Sequence, residues 1–258
     1  MDLHVATAGD PRRPALLLLH AMGTDGRFWD ECVALWRDRY HCVVPDLRSA
    51  GRSPLADPPA GVADHAADLE ALRRELGVAR WIVIGCAMGG AVAAAHAARE
   101  PGRVTALVMA NPGLRNDETV KAMLRERVAQ VRRDGMAALL PAAADRTFLN
   151  LPRDDRYHRY AERYAAQGAE SYARQVLGFL DVDVGAEVAA TRCPLLVVPG
   201  EHDTLMPADS AARIRELRPD AVVETLRDAA HFGPMQAPVA FVACVDRFLA
   251  SLPSRAAA

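Results

Sequence analysis

Val83-Ile84-Gly85-Cys86-Ala87-Met88-Gly89-Gly90 has the frame of a Gly-x-Ser-x-Gly nucleophile turn, with alanine where the serine belongs. Such a turn joins a buried strand to a helix so tightly that side chains two residues either side of its apex would clash, hence the glycines. Trp81 to Ile84 supply the apolar strand, Met88 to Ala98 supply the helix, and position 87 is the apex raised into the site. A methyl group there cannot attack a carbonyl. Two plainer readings compete. As a dinucleotide turn, Gly85-x-Ala87-x-x-Gly90 lacks the second glycine that lets backbone approach a pyrophosphate, and it falls late in the chain. Glycine can also simply punctuate a strand-to-helix junction, so the surrounding sequence must decide.

With 258 residues, 51% of them hydrophobic, the chain can bury one large core. A net charge of -2 and a pI near 6.4 exclude a general attraction to nucleic acid or to an anionic membrane. Met1 to Asp10 has no basic flank leading into an apolar stretch, and Leu16 to Leu19 is too short to span a bilayer, so a cytoplasmic, soluble protein is expected. Cys32, Cys42, Cys86, Cys193 and Cys244 are scattered, without a Cys-x-x-Cys pair, and the histidines show no ligand spacing. Neither a disulfide framework nor a metal or other cofactor is expected. Cys86 stands beside the apex, but a residue before the apex points away from it.

Strand-length apolar runs alternate with stretches of helical period, which predicts an α/β fold: a mostly parallel sheet with helices on both faces. The expected strands are Leu3 to Ala8 at an edge, Ala15 to His20, His41 to Asp46, Trp81 to Gly85, Val104 to Asn111, Pro194 to Gly200 and Ala221 to Leu226. Val62, Ala66, Leu69, Leu72 and Leu76 mark one face of a helix ending at Gly77, and Ala208 to Leu217 and Pro238 to Leu252 read as closing helices. The alternation breaks over residues 114–187, an Arg-rich helical stretch expected to form a lid over a core of residues 1–113 and 188–258. Its arginines include Arg125, Arg127, Arg132, Arg133, Arg146, Arg153, Arg156, Arg159, Arg163 and Arg174. Most belong to a solvated face laced with acids. One or two are candidates to pair with a substrate carboxylate, or with an acidic carrier protein, and the sequence does not choose among them.

Asp203 follows the strand ending in Pro199-Gly200, and His231 follows the next strand in the same way. Alone, the first reads as a turn former and the second as a loop histidine satisfied by backbone. Together with position 87 they stand in the chain order nucleophile, acid, histidine. His20-Ala21-Met22-Gly23 follows a strand as an oxyanion loop does, so the N–H of Met22 is expected to join that of Met88 in holding a tetrahedral oxyanion. Such donors are worth about 3 to 4 kcal/mol each in the transition state. His20 is a candidate substrate contact. Pro45-Asp46-Leu47-Arg48-Ser49-Ala50-Gly51-Arg52-Ser53 resembles an Asp-x-Arg-Gly-x-Gly-x-Ser turn, with Ser49 and Ala50 departing from the glycine pattern.

On these residues the chain resembles the α/β-hydrolase superfamily over nearly its full length. The segment His20 to Asp30, the elbow, and Ala229 to Pro238 are most similar to 3-oxoadipate enol-lactonases and related esterases. The resemblance implies an α/β-hydrolase fold, a small ester or lactone as substrate, and a mechanism in which a serine at 87 attacks while His231 takes its proton and Asp203 orients the imidazole. With Ala87 that first step is missing, although the pocket is expected still to bind. Three accounts stay open: an alanine replacing serine in a hydrolase, a non-covalent enzyme (lyase, isomerase or carbon–carbon bond hydrolase) with His231 as general base, and a ligand-binding protein that has lost catalysis.

Overall fold

A computed structural model describes residues 3–206 and 209–253. Seven strands form one sheet in the order β1-β3-β2-β4-β5-β6-β7. They are β1 (Val5–Ala8), β2 (Ala15–Leu19), β3 (His41–Pro45), β4 (Trp81–Cys86), β5 (Val104–Ala110), β6 (Leu195–Val198) and β7 (Val222–Val223). β1 runs antiparallel to β3, and every other pairing is parallel.

Leu16, Leu17, Leu18 and Leu19 are all fully buried because both faces of the sheet are covered, so β2 reads as an unbroken apolar run. The strand period of two then divides them. Leu16 and Leu18 pack toward α1 (Asp30–Trp36) and α11 (Pro238–Ser251). Leu17 and Leu19 pack toward α2 (Val62–Glu75), α3 (Met88–Arg99) and α9 (Ser210–Leu217). α2 stops where expected, at Gly77, whose φ of +65 suits glycine.

Two strands are shorter than their apolar runs. β6 ends at Val198, and β7 pairs at only two residues before an isolated bridge from Gly200 to Leu226. At the sheet edge Val222 is exposed, and hydrophobicity there no longer reports pairing. The predicted start of α9 at Ala208 lies outside the described residues, and the helix as described spans Ser210–Leu217.

Between β5 and β6 the chain leaves the sheet and builds α4 (Glu118–Asp134), α5 (Ala142–Thr147), α6 (Asp155–Ala165) and α7 (Ala169–Gly178). Its neck is closed by an antiparallel bridge between Arg115 and Asp183 and by the Val184 N–H donating to the Leu114 carbonyl at 2.9 Å. The next helix, α8 (Gly185–Ala190), packs against α3 and α9 in the core. The insertion therefore closes before the expected Glu187. Leu124, Val128, Tyr160, Tyr164 and Tyr172 form its interior, continuous with the core through Phe28 and Phe232.

Candidate active site

β4 turns into α3 at Ala87, whose φ of 49 and ψ of −113 lie where few side-chain-bearing residues go. The flanking glycines are steric necessities. A Cβ on Gly85 would sit 2.1 Å from the Gly89 carbonyl oxygen, and one on Gly89 would sit 2.3 Å from that of Leu19. The Ala87 N–H donates to the Ala110 carbonyl at 2.9 Å, which ties the apex to β5. Ala87 then lines a cavity of about 210 Å³ between the sheet's carboxyl end and the insertion. Cys86 does not. Its Sγ lies 3.9 Å from the His231 carbonyl oxygen, and burial pushes the thiol well above its ordinary range.

His231 lines the same cavity. Its Nδ1 is 3.2 Å from both carboxylate oxygens of Asp203, so an Nδ1–H donated to the acid leaves Nε2 as the free acceptor. Burial pushes the Asp203 carboxyl up. Hydrogen bonds from His231, from the Asn111 amide at 2.9 Å and from the Leu205 N–H at 2.9 Å outweigh burial and hold it below the usual carboxylate range. The structure brings Asp203 and His231 together, each from a loop after a parallel strand.

Asn111 has no counterpart among the sequence-derived candidates. It ends β5 at φ 48, donates to both Asp203 and the Ala230 carbonyl, and so joins the acid loop to the histidine loop. Gln236, in α10 (Gly233–Gln236), is a second unforeseen member. Its Oε1 accepts the N–H groups of Ala230 and Phe232 on either side of His231, and its Nε2 donates to the Thr147 carbonyl at the end of α5. The position of Asn111 just past a strand carboxyl end was the one available signal. Gln236 gave none.

Met22 and Met88 both border the cavity. Met88 is the first residue of α3, so its N–H has no carbonyl within the helix to bond. The Gly23 N–H donates to Gln175 of α7 at 3.0 Å, and the Tyr164 ring leaves no room for a side chain at Gly23. The insertion thereby fixes the loop. His20, expected to touch substrate, requires correction. It is fully buried, its Nδ1 lies 2.9 Å from the Ala21 carbonyl oxygen, and its Nε2 accepts the Leu47 N–H at 3.0 Å. The ring pins the loop from behind and faces no cavity. Asp46 performs similar work in its turn, accepting the N–H groups of Gly26 and Arg52 at 2.7 and 2.9 Å.

The arginines of the insertion sort by partner. Arg132, Arg133, Arg153, Arg156, Arg159, Arg163 and Arg174 each pair with a carboxylate of the chain. Arg127 and Arg146 line the cavity instead. Among the described residues no helix is long and apolar enough to cross a membrane.

Known proteins share the fold and much of the chain's length. The chain is 30% identical over 259 residues, 96% of its own length and 94% of the other's, to a protein of Caulobacter sp. strain K31 named "Putative carbamate hydrolase RutD". It is 26% identical over 247 residues to 3-oxoadipate enol-lactonase 2 of Acinetobacter baylyi, covering 95% of this chain and 91% of that one. The crystal structure of the enol-lactonase from Burkholderia xenovorans LB400 shares the fold at a TM-score of 0.89 and 24% identity, with 96% of each chain covered. The family model described as Alpha/beta hydrolase family matches residues 16–243, and the chain belongs to that family.

Proposed function

We propose that this chain is an ester- or lactone-binding α/β hydrolase in which Ala87 withholds the nucleophile, so that it holds a small acyl compound without forming an acyl-enzyme. The observation that carries the reading is the alanine at a strained nucleophile apex, in one cavity with a fully assembled His231–Asp203 pair. Names of its relatives, an enol-lactonase and a carbamate hydrolase, support carboxyl-derived substrates. With serine at 87, Oγ would attack the carbonyl as His231 takes its proton, the N–H groups of Met22 and Met88 would receive the oxyanion, and water would release the acid. Seven of the insertion's arginines pair with carboxylates of the chain, and no acidic carrier protein is invoked.

Ala87→Ser is expected to create hydrolysis of short p-nitrophenyl esters or enol-lactones with a burst, at about 10⁶ times the rate of the unaltered chain, the scale of a triad nucleophile's loss. No gain over the alanine form would remove the hydrolase reading.

A second reading is favoured by the acid network itself, which remains complete with no serine to serve. Here His231 acts directly as general base: Nε2 takes a proton from water, the hydroxide adds to the carbonyl, and the proton leaves with the departing group. His231→Ala then abolishes turnover by the unaltered chain. Turnover insensitive to that change excludes this reading.

A further inference from the structure

The cavity has a charge that the proposed acyl chemistry leaves unused. No aspartate or glutamate lines it among the described residues, whereas two guanidinium groups do. Arg146 meets it from the solvent side, being exposed. Arg127 lies inward. It shares the buried stripe of α4 with Leu124, Val128 and Val131, at helical spacings that place all four on one face.

Seven arginines of the insertion find carboxylates of their own chain, as far off as Glu31 for Arg159, and Arg115, Arg125 and Arg146 are exposed to water. Arg127 has no carboxylate in ion-pair distance among the described residues. Facing it are the phenols of Tyr172, Tyr164 and Tyr160, all of them buried. Phenols solvate a cation without neutralising it. A guanidinium partly shielded from water, on an apolar helix face and without a counter-ion, is costly unless something that binds there supplies the negative charge.

We propose that Arg127, backed by Tyr172, is a carboxylate subsite that makes the cavity select short acyl compounds bearing a second, ionised carboxyl group. This rests on the reading of the cavity as an ester or lactone pocket. A lone planar fork beside a phenol donor matches a carboxylate bidentately, and apolar walls such as Leu124 and Phe179 fit a short chain between the charged end and the reacting carbonyl.

Two measurements test it. On the Ala87→Ser background, kcat/KM is compared for mono-p-nitrophenyl glutarate and p-nitrophenyl valerate. The ratio cancels the active fraction, so partial misfolding of a variant cannot mimic the effect. Arg127→Met is expected to lower the ratio by about 10- to 100-fold, Arg127→Lys by less, and Arg125→Met, on the exposed side of the same helix, not at all. A ratio unchanged within about twofold in Arg127→Met overturns the subsite. The second measurement titrates the unaltered chain with monomethyl glutarate and dimethyl glutarate by calorimetry. A preference for the monoanion that disappears in Arg127→Met supports the subsite, and one that is absent or persists refutes it. Should Ala87→Ser prove inactive while the Arg127-dependent preference stands, the hydrolase reading falls and the anion subsite survives. Active Ala87→Ser with no Arg127 dependence gives the reverse.

Discussion

Asn111 illustrates how much of the site depends on single side chains outside the catalytic pattern. Its amide donates simultaneously to the Asp203 carboxylate and to the backbone just before His231, so one residue sets the distance between two loops. Its left-handed φ of 48 also suits asparagine better than most residues. Asn111→Ala on the Ala87→Ser background is expected to lower kcat by about 10- to 100-fold, the worth of a hydrogen bond to a charged group, with a smaller change in KM. Steady-state kinetics check this, and an unchanged kcat would show that the acid is held without it. Ala87 belongs to the same scale, since on the proposed reading one hydroxyl separates a covalent catalyst from a binding protein on the same frame.

Among the elements, the insertion and the sheet are joined at the loops of the proposed site. α7 holds the loop of Met22 and Gly23 through Gln175, and α5 meets the histidine loop through the Thr147 carbonyl, which accepts the His231 N–H at 3.3 Å and the Gln236 amide at 2.8 Å. Gln236 is thus a positioning residue that couples α5 and α10 to the imidazole. Gln236→Leu leaves the N–H groups of Ala230 and Phe232 without their acceptor and is expected to cost about 3 kcal/mol, read as a lower urea midpoint. On the serine background it should also depress kcat more than KM, because it disturbs the base and leaves the pocket walls alone. Equal loss in both parameters would point to a general collapse of the cavity. By contrast, the Arg159–Glu31 and Arg163–Asp30 pairs that join α6 to α1 are solvent-exposed and hold little energy individually.

At the scale of the molecule, two buried histidines contribute to how stability varies with pH. His96 accepts the Trp81 indole N–H at 3.1 Å, and His65 stacks on Phe179 with ring centroids 5.5 Å apart, so the helix layer and the insertion both lean on neutral imidazoles. Burial holds each down to about 4 from an ordinary 6.5. The unfolded chain therefore binds protons that the folded chain refuses, and stability is full above the unfolded value and is lost as pH falls toward the folded one. Between pH 7 and pH 5 each histidine is expected to remove about 2 kcal/mol from the free energy of unfolding. Urea titrations at the two pH values measure it, and equal midpoints and slopes would refute it.

The chain's own order of residues was enough to determine the α/β-hydrolase frame, the sharp turn at Ala87 and the Asp203–His231 pair, because each rests on short-range rules: glycines where a Cβ would strike backbone, apolar runs of strand length, polar residues just past strand ends. Tertiary structure decided what depends on partners distant in sequence. Asn111 reaches Asp203 across 92 positions and Gln236 reaches Thr147 across 89, so neither role had a local signature. His20 was misread for the same reason, since the Leu47 N–H that turns its ring inward comes from another loop. The arginines of the insertion look alike along the chain. Only folding brings Glu31, Asp30 and Asp57 to some of them and leaves Arg127 facing the cavity, because a charge is neutralised by what lies near it in space and not by its neighbours in sequence.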